Sequence, residues 1–302
     1  MVTMLPRFPA FKDVDLSSQG IFNEFIARHP LEGSEYNFTN IFAFRKAYGF
    51  KLSLLHDNLI ILRDAGHVSV FCPVGGSRIV STIHEISGFM KTRGGEQLIE
   101  RVPESFINTF LKDNPDYFIE EERDHFDYVY SVQDLIKLRG NRFHDKKNKI
   151  NKFKSLYQYR YETLTPELIP ECLEFEEDWC EVRDCGKFPG LEKERCAILE
   201  MLNNFSALRI KGGIIRVDKR IVALTLGEKF LHDTMVIHIE KANSEMPGLY
   251  QVINQEFLKH EAKDCTYVNR EQDLGLNGLR QSKMSYNPLL FIKKYKIQKR
   301  TP

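Results

Sequence analysis

Apolar side chains recur in this chain at offsets of three and four, the spacing of one buried helical stripe. In the first half the stripes are Ile21, Phe22, Phe25 and Ile26, then Ile41, Phe42 and Phe44. In the second half they are Ile169, Cys172, Leu173 and Trp179, then Cys196, Leu199, Leu202 and Phe205. Each pair of stripes precedes a predicted hairpin. Asn58–Arg63 and His67–Cys72 are β-rich runs joined across Asp64-Ala65-Gly66; Gly213–Val217 and Ile221–Leu226 are joined across Asp218-Lys219-Arg220. Both connections hold residues suited to tight reversals.

Strands and helices then alternate. The first half predicts a helix over Ile79–Lys91, a strand over Gln97–Val102, a helix over Glu104–Lys112 and a strand over Tyr117–Tyr130, interrupted near Asp124. The second predicts a strand over Thr234–Glu240, a helix marked by Leu249, Val252, Ile253 and Phe257, a strand over Cys265–Asn269 and a helix over Gly278–Ser285. The order repeats roughly although the residues do not. It predicts two similarly folded α/β domains, 1–140 and 141–302, and 302 residues suit two domains of ordinary size.

Composition narrows the classes. With 42% apolar residues, 22 Phe and 12 Tyr, the chain can bury a substantial core and is not of disordered type. A net charge of +1 excludes a uniformly basic nucleic-acid binder, though it hides local clustering. The start, MVTMLPRFPAFKDVD, lacks a basic segment followed by an apolar one, and no apolar run approaches 18 residues. A soluble, cytoplasmic protein is expected. The six cysteines have no CxxC spacing and read as free thiols. Cys172, Cys180, Cys185 and Cys196 match no common zinc pattern, and His84-Glu85 lacks a second histidine four residues on, so no metal is predicted. "PVGGSR" has two glycines but no Gly-Lys-Ser/Thr and is no P-loop.

Between the halves, residues 137–154 hold eight Lys or Arg against one Asp. The stretch reads as a solvated helix or as a patch for the phosphates of a nucleotide, a tRNA or a lipid headgroup, with Arg142, Lys146, Lys147 and Asn148 as phosphate-binding candidates. The acidic run 171–181 offers an internal partner for it.

The densest candidate chemistry is "NREQDLGLNGLRQSKMSYNP", residues 269–288, directly after a predicted strand. Strand ends are where open α/β sheets take ligands. Asn269, Arg270 and Glu271 stand at that end. Arg280 and Lys283, three apart on the next helix, are placed to reach one anion. Strict alternation along Thr234–Glu240 sends Met235, Ile237 and Ile239 to the core and His238 and Glu240 to the other face. Glu240 is the leading general base, His238 reads as a satisfied sheet histidine, Asp273 as a cap, and Arg280 alternatively as a brace for Glu271.

"YVYSVQDLIKLRGNRFHDKKNKINKF", "EKANSEMPGLYQVINQEF" and "YVNREQDLGLNGLRQSKMSYNP" together resemble the bacterial DUF2156 proteins, whose relatives include the C-terminal domain of phosphatidylglycerol lysyltransferases. The resemblance runs from about residue 20 to 297. It implies two GNAT-like acyltransferase folds in tandem, each a mixed, mostly antiparallel sheet flanked by helices, with the active site in the second. It further implies aminoacyl transfer from aminoacyl-tRNA to an amine or hydroxyl acceptor on a small molecule, peptide or lipid headgroup. Glu240, Glu271 and Tyr286 are then catalytic candidates, Tyr286 as the acid for the leaving group. Asn269, Arg270, Arg280, Lys283 and Gly248 are substrate-binding candidates. An acyl-CoA N-acyltransferase is the alternative; of its Gly-rich pyrophosphate signature only Gly248 is present, and Glu245 occupies the loop. A non-catalytic relative that binds RNA or protein is the third reading.

Overall fold

The computed structural model describes residues 5–93 and 98–300; Gln97, the expected start of a strand, lies outside them. Two compact units share the chain. Unit 1 runs to Asp127 and resumes at Ile292, and unit 2 is Tyr128–Phe291. Unit 1 contains β1 (Lys12–Asp13), α1 (Gln19–Arg28), α2 (Phe38–Ala43), α3 (Arg45–Tyr48), β2 (Phe50–Leu55), β3 (Asn58–Arg63), β4 (Ser69–Phe71), α4 (Ile79–Thr92), β5 (Leu98–Pro103), α5 (Glu104–Phe110) and β6 (Tyr117–Glu121). Strand β7 (Asp127–Ser131) leads into α6 (Val132–Lys137), α7 (His144–Leu156), β8 (Tyr159–Thr163), α8 (Ile169–Val182), α9 (Pro189–Asn203), α10 (Phe205–Leu208), β9 (Lys211–Val217) and β10 (Arg220–Phe230). There follow β11 (Thr234–Ala242), α11 (Leu249–Glu261), β12 (Tyr267–Asn269), α12 (Asn277–Met284) and β13 (Leu290–Ile292), and β14 (Lys294–Lys299) returns to unit 1.

The sheet orders are β1-β2-β3-β4-β5-β14-β6 and β13-β7-β12-β11-β10-β9-β8. Antiparallel hairpins dominate, and each sheet holds a parallel pair crossed by a helix: β4 with β5 through α4, β11 with β12 through α11. This is the tandem GNAT-like architecture. Both expected hairpins form, and β9–β10 turns on two residues, Asp218 and Lys219, both left-handed as a tight hairpin requires.

The domain boundary differs from the expected 140/141. Strand β7 pairs with β12, Tyr267 opposite Ser131, so residues 128–140 belong to the second unit. Strand β14 lies between β5 and β6 and gives the last residues to the first unit. The run Tyr117–Tyr130 is therefore two strands in two sheets, separated by a 3₁₀ turn at Arg123–His125. A buried ion cluster fastens β14: Lys294 Nζ lies 2.6 Å from Asp127 Oδ1 and 2.7 Å from Glu35 Oε1, with the lysine and aspartate side chains fully buried.

In unit 2 the stripe Leu249, Val252, Ile253 and Phe257 of α11 is fully buried against Ile215, Met235 and Ile237 of the sheet. Each such side chain contributes about 1.5–3 kcal/mol. Helix α7 docks on the same core through Ile150 and Phe153 and leaves Lys147, Lys149, Lys152 and Lys154 exposed.

Two expectations are corrected. Cys180 and Cys185 are joined as a disulfide, whereas Cys72, Cys172, Cys196 and Cys265 are free thiols. A turn at Asp184, left-handed just after α8, brings the two Cα atoms to 5.0 Å, within disulfide reach. The acidic run also finds other cations than the basic stretch: Glu171 pairs with Arg216, and buried Glu176 lies in the field of Lys241. Among the described residues no helix is long and apolar enough to cross a membrane.

Candidate active site

Strands β11 and β12 run parallel through three pairs, Thr234–Tyr267, Met235–Val268 and Val236–Asn269. Beyond them β12 ends while β11 continues to Ala242, so the two part. The pairing of β10 with β11 slips by one residue here: Leu226 faces Ile239, but the next residue, Gly227, faces Ile237. His238 is the extra residue of a bulge, and alternation changes phase at it. Gly227 is required, because a Cβ there would stand 2.4 Å from the Val236 carbonyl oxygen. In consequence Glu240 shares the α11 face with Met235, Ile237 and Ala242, contrary to the strict alternation expected from sequence.

Glu240 is held from two sides. Asn254 of α11 donates to Oε2 at 2.9 Å, and Arg270 Nη2 lies 2.8 Å from Oε1. Both charged side chains are nearly buried, 11% and 13% exposed. The guanidinium carbon of Arg270 is 4.7 Å from the centroid of the Tyr286 ring, and its buried Nη1 has no hydrogen-bond partner. Burial opposes the charge of Arg270, but the Glu240 carboxylate outweighs it and raises its pKa above the ordinary value. Burial likewise pushes the Tyr286 phenol up, against the pull of Arg270, so the hydroxyl keeps its proton.

Lys146 of α7 approaches Tyr286 too, its Nζ 4.2 Å from the ring centroid and 2.6 Å from Ser285 Oγ. Burial, then the like charges of Lys149 and Arg270, push this ammonium down to about 8. Glu240, Arg270, Tyr286 and Lys146 thus form one chain of contacts from β11 to α7.

Other expected residues are placed differently. His238, its side chain fully buried, meets Glu228 at 3.0 Å through Nε2 and Glu271 at 2.9 Å through Nδ1. Burial opposes its charge, but the two carboxylates prevail and push it up to about 9, so Glu271 balances an imidazolium. Asn269 is buried and accepts the Glu271 N–H at 2.8 Å, fixing the left-handed turn at Glu271. Arg280 grips buried Asp273 through Nε at 2.8 Å and Nη2 at 2.9 Å, while Lys283 Nζ donates to the Arg270 carbonyl. Asp273 accepts from Gly275 N–H and Tyr128 as well and makes no cap on α12. Burial alone would raise its carboxyl; Arg280 and Tyr128 hold it well below the usual range.

Gly248 stands at φ +94 before α11, and a Cβ on it would lie 2.2 Å from the carbonyl oxygen of Lys149. Its absent side chain lets α7 cross the helix start. Arg142 is exposed and paired with Asp134 at 2.7 Å; Lys147 and Asn148 are exposed on α7. Sequence reasoning missed Asn254 and gave Lys146 no place near Tyr286. The apolar stripe Leu249–Phe257 interrupted by a polar Asn254 was the available signal for the first.

No curated protein matches this chain. A conserved protein of unknown function from Bacteroides thetaiotaomicron is similar at 32% identity over 98% of this chain and 100% of that one, with a TM-score of 0.89. A C-terminal DUF2156 domain from Agrobacterium fabrum shares the fold at 11% identity, TM-score 0.67, over 95% and 92% of the two chains. L-PGS from Bacillus licheniformis does so at 12% identity, TM-score 0.63, over 99% and 95%. The family model for the C-terminal region of phosphatidylglycerol lysyltransferase matches residues 26–298, and the chain belongs to that family.

Proposed function

We propose that this chain is an aminoacyltransferase that moves an aminoacyl group from aminoacyl-tRNA to an amine or hydroxyl acceptor where β11 and β12 part. The carrying observation is Arg270, buried between Glu240 and Tyr286 with one guanidinium N–H group unpartnered. A fixed cation with a spare donor suits the oxyanion that develops when an ester carbonyl is attacked. Glu240 takes the acceptor proton as the new bond to carbon forms. Tyr286 gives its proton to the departing ribose oxygen as the ester bond breaks, and the proton on Glu240 restores it. The exposed lysines of α7 supply attraction for tRNA phosphates.

The acceptor carries an apolar portion in this reading. Leu274, Leu276, Leu279, Met284, Leu289 and Leu290, all within the segment that follows Arg270, are exposed, Leu276 by 60%. Acyl-CoA fits less well as donor. Its pyrophosphate would need the start of α11, where the Lys149 carbonyl of α7 packs on Gly248.

The test is release of labelled amino acid from a charged total-tRNA pool with and without candidate acceptors. Arg270→Ala should lower transfer by about 100-fold, the effect of removing one oxyanion donor. Absence of transfer from every charged tRNA, together with thermal stabilisation by millimolar CoA, would overturn the proposal in favour of the acyl-CoA reading.

A further inference from the structure

Unit 1 holds none of the residues just assigned, yet a cavity of about 780 Å³ opens on it between the start of α4 and the ends of β6 and β14. That volume is in the range of small-molecule sites. Arg78, Lys299 and Arg300 bring three cationic side chains to its wall, against the carboxylates of Glu85 and Asp116. Glu85 is already engaged, 3.1 Å from His56 Nε2. The balance of charge facing the cavity is therefore positive.

The cations are positioned rather than loose. Arg78 is left-handed, at φ +49, a conformation that costs a residue with a Cβ about 1 kcal/mol or more. The segment before it is pinned by Asn58, a fully buried side chain. Its Nδ2 donates to the Ser77 carbonyl at 2.7 Å and to Thr82 Oγ1 at 3.0 Å, and its Oδ1 accepts from Ser77 N–H at 3.3 Å. Gly75 permits this, since a Cβ there would stand 2.1 Å from Asn58 Oδ1. Gly75 of "PVGGSR" thus serves a loop that presents Arg78 to the cavity. Lys299 Nζ lies 2.7 Å from His84 Nδ1, where the imidazole accepts and holds the ammonium among the lining residues. Arg300 is tied by its main-chain N–H to the Asp116 carbonyl at 2.8 Å and by Nε to the Tyr117 carbonyl at 3.3 Å. Val80 and Pro115 add apolar wall beside these charges.

We propose that this cavity binds a small phosphorylated molecule, its phosphate held by Arg78, Lys299 and Arg300 and its organic part laid on Val80 and Pro115. Arginine matches phosphate geometry through paired N–H donors, and lysine adds a point charge. The site is independent of the transferase reading, because every residue that lines it belongs to unit 1.

Titration calorimetry on the full chain with 5′-AMP, inorganic phosphate and adenosine tests it. AMP should bind saturably and adenosine should not; phosphate should bind more weakly than AMP and compete with it. Arg78→Ala and Lys299→Gln should each weaken AMP by about tenfold or more, the scale of one charge-assisted contact. Lys187→Ala, at an exposed position of unit 2, should leave AMP binding unchanged. Circular dichroism checks that the two cavity variants, both at exposed or half-exposed positions, keep the fold. No saturable AMP binding, equal binding of adenosine, or loss on Lys187→Ala but not on Arg78→Ala would each overturn the assignment. None of these outcomes depends on whether aminoacyl transfer is observed.

Discussion

Replacing Lys294 with methionine tests how the last strand is held. The lysine is fully buried, 2.6 Å from Asp127 and 2.7 Å from Glu35, and Arg101 Nε is 3.4 Å from the same Glu35 oxygen. At an effective dielectric of about 20, each short contact attracts by roughly 6 kcal/mol before desolvation is subtracted. Removing one member of such a buried group costs about 3–5 kcal/mol, and with Arg101 still beside Glu35 the expectation is mid-range, about 4 kcal/mol. Amide exchange protection in β5, β6 and β14 should fall by about 10³. The pH dependence gives an independent check. Burial, opposed by Lys294 and Arg101, raises Glu35 from 4.5 to about 7. A raised carboxyl contributes stability that is complete below 4.5 and lost as pH rises through about 7. Without Lys294 the folded value climbs further, so the deficit of the variant should be larger at pH 8 than at pH 5. An equal deficit at both pH values, or one below about 1 kcal/mol, would refute the reasoning.

Three other perturbations follow from the second unit. Arg280→Ala should destabilise by about 2–3 kcal/mol, read by denaturant unfolding, because it removes two charge-assisted contacts to the buried Asp273 carboxylate. His238, raised to about 9, contributes stability complete below 6.5 and lost as pH rises through about 9; His238→Gln should flatten the unfolding free energy across that window. Gly248→Val should cost more than about 2 kcal/mol, measured the same way, since the Lys149 carbonyl and φ +94 both forbid a side chain.

Much of the fold was legible because its signals are local. The stripe of α11 and the turn residues at Asp218-Lys219 need no tertiary knowledge to be recognised. Non-local features were hidden. Alternation placed Glu240 on the wrong face because the phase change at His238 depends on a register slip against another strand. Lys294–Lys299 alternates lysine with Tyr and Ile too briefly to announce a strand inserted between β5 and β6. At the site, the segment 269–286 was found as a polar cluster, but pairing within it was not. Asp273, read as a cap, takes Arg280, because a left-handed Leu274 and Gly275 fold the chain back over it.

The interrupted path of unit 1 has a consequence for how the protein is born. Strand β6 ends its sheet with β14 as its neighbour, and β14 is separated from it by the whole of unit 2. As the ribosome delivers residues in order, the 128–291 segment can acquire its shape while the earlier sheet still waits with β6 unmatched. Loss of residues 294–299 by premature termination would therefore damage the half of the molecule made first and spare the half made last.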